Sequence, residues 1–269
     1  AQLAMLADAD RGPAACVVKH TNPCGAAIAS SVEAAVDSAI AGDPLAAFGG
    51  ILASSAELDA PAARRITRDG SFFEVVVAPS FAPEALDILR SRWTSVRILR
   101  TGPLRADTRS SVEMRSIAGG MLVQQRDTLV MQSPRWTHAA GPAPTASTLE
   151  AAEALEIICR ALSSNAIAIG AADPSIPGCS VRLFGAGAGQ MDRVASCRIA
   201  VEKAGANARG AIALSDAFFP FPDGPEVLIR AGIATIVHPG GSKRDQETFD
   251  LCNRAGVTCL TTGVRHFRH

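Results

Sequence analysis

The sequence predicts an α/β fold carried by two consecutive halves, and three observations predict it. Short β-branched, strand-like runs alternate with helix-like runs along the chain. The rhythm breaks over Ser133–Ser147, where three prolines, a glycine and several Ala, Ser and Thr remove any apolar period. It resumes behind Ser147-Thr148-Leu149-Glu150, which has the spacing of a capping box. The expected division is residues 1–133, a linker or surface loop at 134–147, and residues 148–269.

In the first half, Ala14–Val18 is a short apolar strand that ends at a polar cluster. Val32–Ala41 reads as an Ala-rich helix closed by Gly42-Asp43-Pro44. Phe72–Ala78, with Val75-Val76-Val77, reads as a buried strand, followed by Pro79 and a helix over Pro83–Arg92. Val96–Leu99 and Met121–Gln124 are further strands. In the second half the capped helix runs to about Leu162. Strands follow at Ala166–Ile169, Val181–Phe184, Ala211–Leu214, Ala234–Val237 and Val257–Leu260. Helices fit between them at Arg193–Ala204, Pro225–Ala231 and Lys243–Ala255, giving a mostly parallel or mixed sheet. No residue-level repeat relates the halves.

The 269 residues are enough to bury a sizeable core, as one large domain or two. With 26 basic and 26 acidic side chains the net charge is zero, which gives no electrostatic reason for a nucleic-acid or membrane partner. Apolar runs fall short of the roughly 18 residues that span a bilayer. Ala1-Gln2-Leu3-Ala4-Met5 has neither a basic leader region nor a starting Met, so a soluble, cytoplasmic chain incomplete at its front is expected. The seven cysteines are scattered without C-x-x-C spacing and are expected as reduced thiols.

Polar or glycine-rich clusters stand at strand ends, where open α/β sheets bind ligands. In Val17-Val18-Lys19-His20-Thr21-Asn22-Pro23-Cys24-Gly25 a cation and a titratable base leave a strand together, and Asn22–Gly25 has tight-turn chemistry. The plainer alternative is a solvated strand end. Asn165 precedes a strand, where such a residue commonly caps or turns the chain. Phe184–Arg193 is a glycine loop ahead of a helix, suited to anions. Its G-x-G-x-G spacing, however, departs from the dinucleotide fingerprint. Ser215–Gly224 crowds Phe218, Phe219 and Phe221 beside Asp216 and Asp223. That cluster is either a hydrophobic corner or an aromatic ligand slot with a carboxylate. The zinc-deaminase, P-loop and serine-hydrolase signatures are all missing.

Together, V-K-H-x-N-P-C-G, S-N-A-I, G-A-G-Q-M-x-R, S-D-A-F-F-P-F-x-D-G, P-G-G-S-x-R-D and T-G-V-R-H-F-R-H resemble one family, in family order, from about Ala7 to His269. It is the transformylase region of the bifunctional purine biosynthesis enzymes. These combine 5-aminoimidazole-4-carboxamide ribonucleotide (AICAR) formyltransferase with inosine monophosphate cyclohydrolase. The resemblance implies an α/β fold of two cytidine-deaminase-like, three-layer subdomains without zinc. It implies formyl transfer from 10-formyltetrahydrofolate, as cosubstrate, to AICAR, by a cytoplasmic homodimer with shared sites.

By motif, His20 would be the general base, Lys19 the positive charge near the leaving nitrogen, and Asn165 the residue orienting the formyl group and amine. Phe218, Phe221 and Asp223 would shape the pocket, and Arg193 would meet folate. Arg265 would contact the ribonucleotide, Glu74 would be a pocket acid, and Phe48-Gly49-Gly50 a nucleotide-contacting turn. Asn22 joins the substrate-binding set through the first motif, and no metal ligand is expected. Ser163 and Asp192 replace the family's usual Lys and Ser. The cyclohydrolase region has no counterpart in the 269 residues, so ring closure is not expected here. The alternative reading is a truncated remnant that binds folate or nucleotide, or only dimerises.

Overall fold

The computed structural model describes residues 2–6, 11–104, 112–125, 127 and 133–268. The chain opens with α1 (Gln2–Leu6), the hairpin β1 (Ala14–Lys19) and β2 (Asn22–Ile28), then α2 (Val32–Ile40) and α3 (Pro44–Ala47). It continues as β3 (Gly50–Ser54), α4 (Ala60–Ile66), β4 (Phe73–Ala78), α5 (Pro83–Arg92) and β5 (Arg97–Arg100). A separate ribbon of β6 (Val112–Ile117) and β7 (Gly120–Gln125) precedes β8 (Thr137–Ala140). The second half holds α6 (Ala146–Arg160), β9 (Ile167–Ala171), β10 (Val181–Gly187), α7 (Arg193–Ala204) and β11 (Ile212–Ser215). It closes with α8 (Asp223–Arg230), β12 (Thr235–His238), α9 (Asp245–Ala255) and β13 (Thr258–Thr261).

Eleven strands form one mixed sheet in the order β5-β4-β3-β1-β2-β10-β9-β11-β12-β13-β8. Each half lays down the same five-strand pattern: an antiparallel hairpin, a third strand antiparallel to the first, and two more parallel to the third. The halves meet where β2 and β10 pair antiparallel, Val181 opposite Ile28 and Arg182 opposite Ala27. The repeat is therefore one of topology, carried by different side chains.

Alternation along the strands feeds two faces. Ala14, Ala26 and Ile28 join Leu155, Ile158, Leu183 and Leu214 in a core under α1 and α6 that crosses the seam. Ala15, Val17 and Ala29 face the other way, against Val36 and Ala39 of α2. Cys197, Ala200, Leu228 and Cys252 pack α7, α8 and α9 on Ile167, Ile169 and Ile236. Among the described residues no helix is long and apolar enough to cross a membrane.

Four local expectations are corrected. Asn22–Gly25 is the start of β2; only His20 and Thr21 make the turn, because Lys19 pairs with Asn22. The expected linker contains β8, which pairs with β13 and extends the sheet edge. The cap of α6 is Thr145, whose hydroxyl accepts from Thr148 N at 3.1 Å, two residues before the expected Ser147. Finally, Gly185 and Gly187 lie inside β10 and leave only Gly189 of the three in the loop.

Those strand glycines let a helix lie against the sheet. A Cβ on Gly187 would stand 2.0 Å from Ser196 O, and one on Gly185 2.3 Å from Ala200 O, both on α7 backbone. Gly187→Ala should therefore lower stability by about 1–3 kcal/mol or more, because backbone cannot rotate away as a side chain can. Urea unfolding would measure it, and a change within ~0.5 kcal/mol would contradict this packing.

Candidate functional site

Lys19 ends β1, and its Nζ donates to the carbonyl of Phe48 at 2.5 Å. His20 follows at an exposed turn tip, with φ +49°, and Thr21 with φ +65°. Both sit in the left-handed region that a two-residue hairpin turn requires and that glycine or asparagine usually fills. Asn22, first in β2, donates from Nδ2 to His20 O at 3.2 Å and accepts from Ser163 N at 2.7 Å. Gly49 has φ +71°, and a Cβ there would lie 3.9 Å from Lys19 Nζ. The Phe48 ring packs 5.5 Å from Phe72 in a cleft of ≈ 310 Å³. Lys19, His20, Asn22, Phe48 and Gly49 thus form one group.

Asn165 and Arg193 form a second. Asn165 stands just before β9, after a cis peptide from Ser164. Its Nδ2 donates to Gln190 O at 2.9 Å, and its Oδ1 accepts from Arg193 Nη2 at 2.7 Å. Arg193 opens α7 and is buried; its Nη1 donates to Ser215 Oγ at 2.9 Å and pairs with the Asp216 carboxylate. Asp216 is 1% exposed and takes the Ser164 hydroxyl at 2.5 Å on its other oxygen. So the guanidinium faces inward, where it fixes Asn165.

The Arg265 guanidinium lies 4.6 Å over the half-buried Phe218 ring, directly downstream of Asp216. Phe221 is exposed beneath Arg244, at 4.7 Å, and Asp223 is exposed and accepts from Gly224 N. Glu74 is exposed on β4 and paired with Arg97 at 3.0 Å. No described contact joins Phe221, Asp223 or Glu74 to the two central groups.

The central groups are tied together largely by residues to which the motifs assign no role. Besides Asn22 and Ser163, Arg268 donates to Thr21 O at 2.8 Å while its own carbonyl accepts from Ser164 N at 2.9 Å. His266 N donates to Asp216 O at 2.9 Å. The only sequence signal for these ties was the compact polar terminus itself.

In the same C-terminal segment, buried His266 meets Asp127 at 2.7 Å and Glu156 at 3.3 Å. Burial alone would lower its pKa; the two carboxylates outweigh that and hold it at about 9. The folded value is raised, so the stabilisation is fully present below the unfolded value near 6.5 and is lost as pH rises through about 9. The unfolding free energy from urea melts should fall over that window by ~3 kcal/mol in all, and His266→Gln should flatten the profile.

Lys19, His20, Asn22 and Cys24 also line a cleft of ≈ 270 Å³ at the seam, with Asp43 and Lys203 opposite. Burial pushes the Cys24 thiol up to about 11, so it stays protonated at neutral pH. All seven cysteines are free. Among the described residues no group of three or more His, Cys, Asp or Glu could hold a metal ion.

Fold and site together define a mixed-sheet α/β protein of two topological repeats, with an imidazole, a lysine ammonium and an anchored amide tied together near their seam. The chain belongs to the AICARFT/IMPCHase bienzyme family, whose model matches residues 1–203. It is 45% identical over 257 residues to the bifunctional purine biosynthesis protein PurH of Synechococcus sp. (strain WH7803). It is 44% identical over 258 residues to that of Parasynechococcus marenigrum (strain WH8102), and 43% over 258 to that of Sorangium cellulosum (strain So ce56). Each comparison covers 96% of this chain but only 47–48% of the relative. The chain spans about half the length of the curated relatives it matches.

Proposed function

We propose that this chain transfers the formyl group of 10-formyltetrahydrofolate to the 5-amino group of AICAR, a step of purine biosynthesis. The observation that carries the reading is the His20–Thr21 turn, held left-handed beside an anchored Lys19 and tied through Asn22 to the Ser163–Asn165 segment. The amine of AICAR is a poor nucleophile, since its lone pair is delocalised into the ring and carboxamide. It attacks the formyl carbon as His20 takes one amine proton; the bond from that carbon to N10 then breaks as His20 returns that proton to N10, which leaves as tetrahydrofolate. Lys19 supplies positive charge toward N10, and Asn165 donates toward the developing formyl oxyanion.

In this reading Arg193 acts through Asn165, while Phe218 and Arg265 offer an aromatic face and a cation to the ribonucleotide. Phe48 and Gly49 bound the same site, with Phe221, Asp223 and Glu74 at its margins. The two halves, 1–133 and 148–269, are cytidine-deaminase-like subdomains, supported by the repeated five-strand order. A cytoplasmic homodimer with shared sites belongs to the same reading and rests on the family resemblance. Ring closure to inosine monophosphate is not assigned to this chain.

Steady-state formation of tetrahydrofolate and formylated AICAR tests the proposal. Asn165→Ala should cut kcat by about 10²–10³, the usual effect of losing an oxyanion donor. Calorimetric binding of both ligands without turnover by the unsubstituted chain would overturn it and favour a binding-only role.

A further inference from the structure

The chain has 26 cationic side chains, of which only Lys19, Lys203 and Lys243 are lysines. Two of those three line the same ≈ 270 Å³ cleft. Lys203 lies in the last turn of α7, and its Nζ meets Asp43 Oδ2 at 2.8 Å. The other oxygen of Asp43 accepts from Ala46 N at 3.0 Å and caps α3. Helix α3 runs directly into Phe48, whose carbonyl holds Lys19 Nζ at 2.5 Å. An unbroken chain of contacts therefore runs from Lys203 through Asp43, α3 and Phe48 O to the Lys19 ammonium. At the other end of α7, Arg193 holds Asn165. We infer that Lys203 is a positioning residue for Lys19, and that α7 acts as a rigid bar setting Lys19 and Asn165 in register.

The helix suits that task. It spans about 15 Å between Arg193 and Lys203 at 1.5 Å per residue. It is pressed onto β10 through Gly185 and Gly187, so it cannot shift without displacing the strand. The Asp43–Lys203 pair is the one described ion pair between α3's cap and α7, and it crosses from the first half to the second. Asp43 is partly buried; desolvation alone would raise its pKa, but the hydrogen bonds from Lys203, Ala46 and Leu45 together with the Lys203 charge outweigh it and hold the carboxyl below its usual range. A surface pair of this kind adds little stability. Its effect lies in geometry.

The inference rests on the formyl-transfer reading for its kinetic arm only. Reductive methylation with ¹³C-formaldehyde labels three lysines and the amino terminus, so the Lys19 resonance is assigned at once with Lys19→Arg and Lys243→Met. In Lys203→Met that resonance should move toward the position of solvated Lys243. Asp43→Asn keeps the α3 cap, since Asn caps as well as Asp, and should do the same. It also serves if Lys203→Met does not fold. In turnover both variants should lose about 10² in kcat with KM little changed, the scale of a misplaced group. Lys203→Arg, which keeps the cation, should restore most of the rate. A Lys19 resonance unmoved in both variants overturns the inference, whatever the kinetics. A moved resonance in a chain that transfers no formyl group leaves the inference standing and sinks the proposed activity instead.

Discussion

Arg193→Met should cost about 3–5 kcal/mol, the penalty for leaving a buried charge without its partner. The substitution keeps much of the side-chain bulk but strands the Asp216 carboxylate, which is 1% exposed. A domain typically has only about 5–15 kcal/mol in hand, so the variant should sit close to unfolding at 25 °C. Arg193→Lys should not rescue it. One planar guanidinium reaches Ser215, Asp216 and Asn165 at once, and a single ammonium cannot reproduce that fork. Urea unfolding measures the loss, and a change below ~1 kcal/mol would show that water solvates the carboxylate after all.

The second large effect separates stability from activity at the hairpin turn. His20→Ala should slow formyl transfer by about 10²–10⁴ through loss of the base, yet change stability within ~0.5 kcal/mol, because the side chain is exposed. Thr21→Gly should do the opposite. A β-branched residue at φ +65° bears left-handed strain that glycine does not, and its relief exceeds glycine's extra unfolded entropy. Stability should rise by about 0.5–1 kcal/mol, with His20 still in place. The turn breaks the local rule for hairpins at the residue that the proposed chemistry uses as its base. Kinetics and urea midpoints on the two variants check both statements.

Elements with their own punctuation were legible in the chain. Pro83–Arg92 has proline at its first position, and Arg193–Ala204 lies between Asp192, which caps it, and Gly205; both ran over the expected residues. Elements whose signal was misassigned were not. Asn22-Pro23-Cys24-Gly25 has the composition of a turn, but pairing with β1 overrides it. α4 has no counterpart among the expected elements, although Asp59 caps it and Pro61 lies in its first turn. β8 lies among prolines and exists because the edge of β13 gives its backbone a partner. In the site, motifs identified side chains that hydrogen-bond to their own neighbourhood. They could not show that Arg193 points inward to Asp216, or that Arg268 joins Thr21 to Ser164. Those ties span 23 to 247 residues, and only the fold brings their ends together.

The central claim is that the Lys19–His20 turn and the Asn165 cluster act as one formyl-transfer site. A double-variant cycle of single-turnover formyl transfer from ¹³C-formyl-labelled 10-formyltetrahydrofolate to AICAR tests it most directly. The unsubstituted chain should place the label on the 5-amino nitrogen. His20→Ala and Asn165→Ala should each fall steeply, and the pair together should fall little further than the worse single variant, as groups serving one transition state do. No transfer by the unsubstituted chain, or losses that simply multiply in the double variant, would contradict the account.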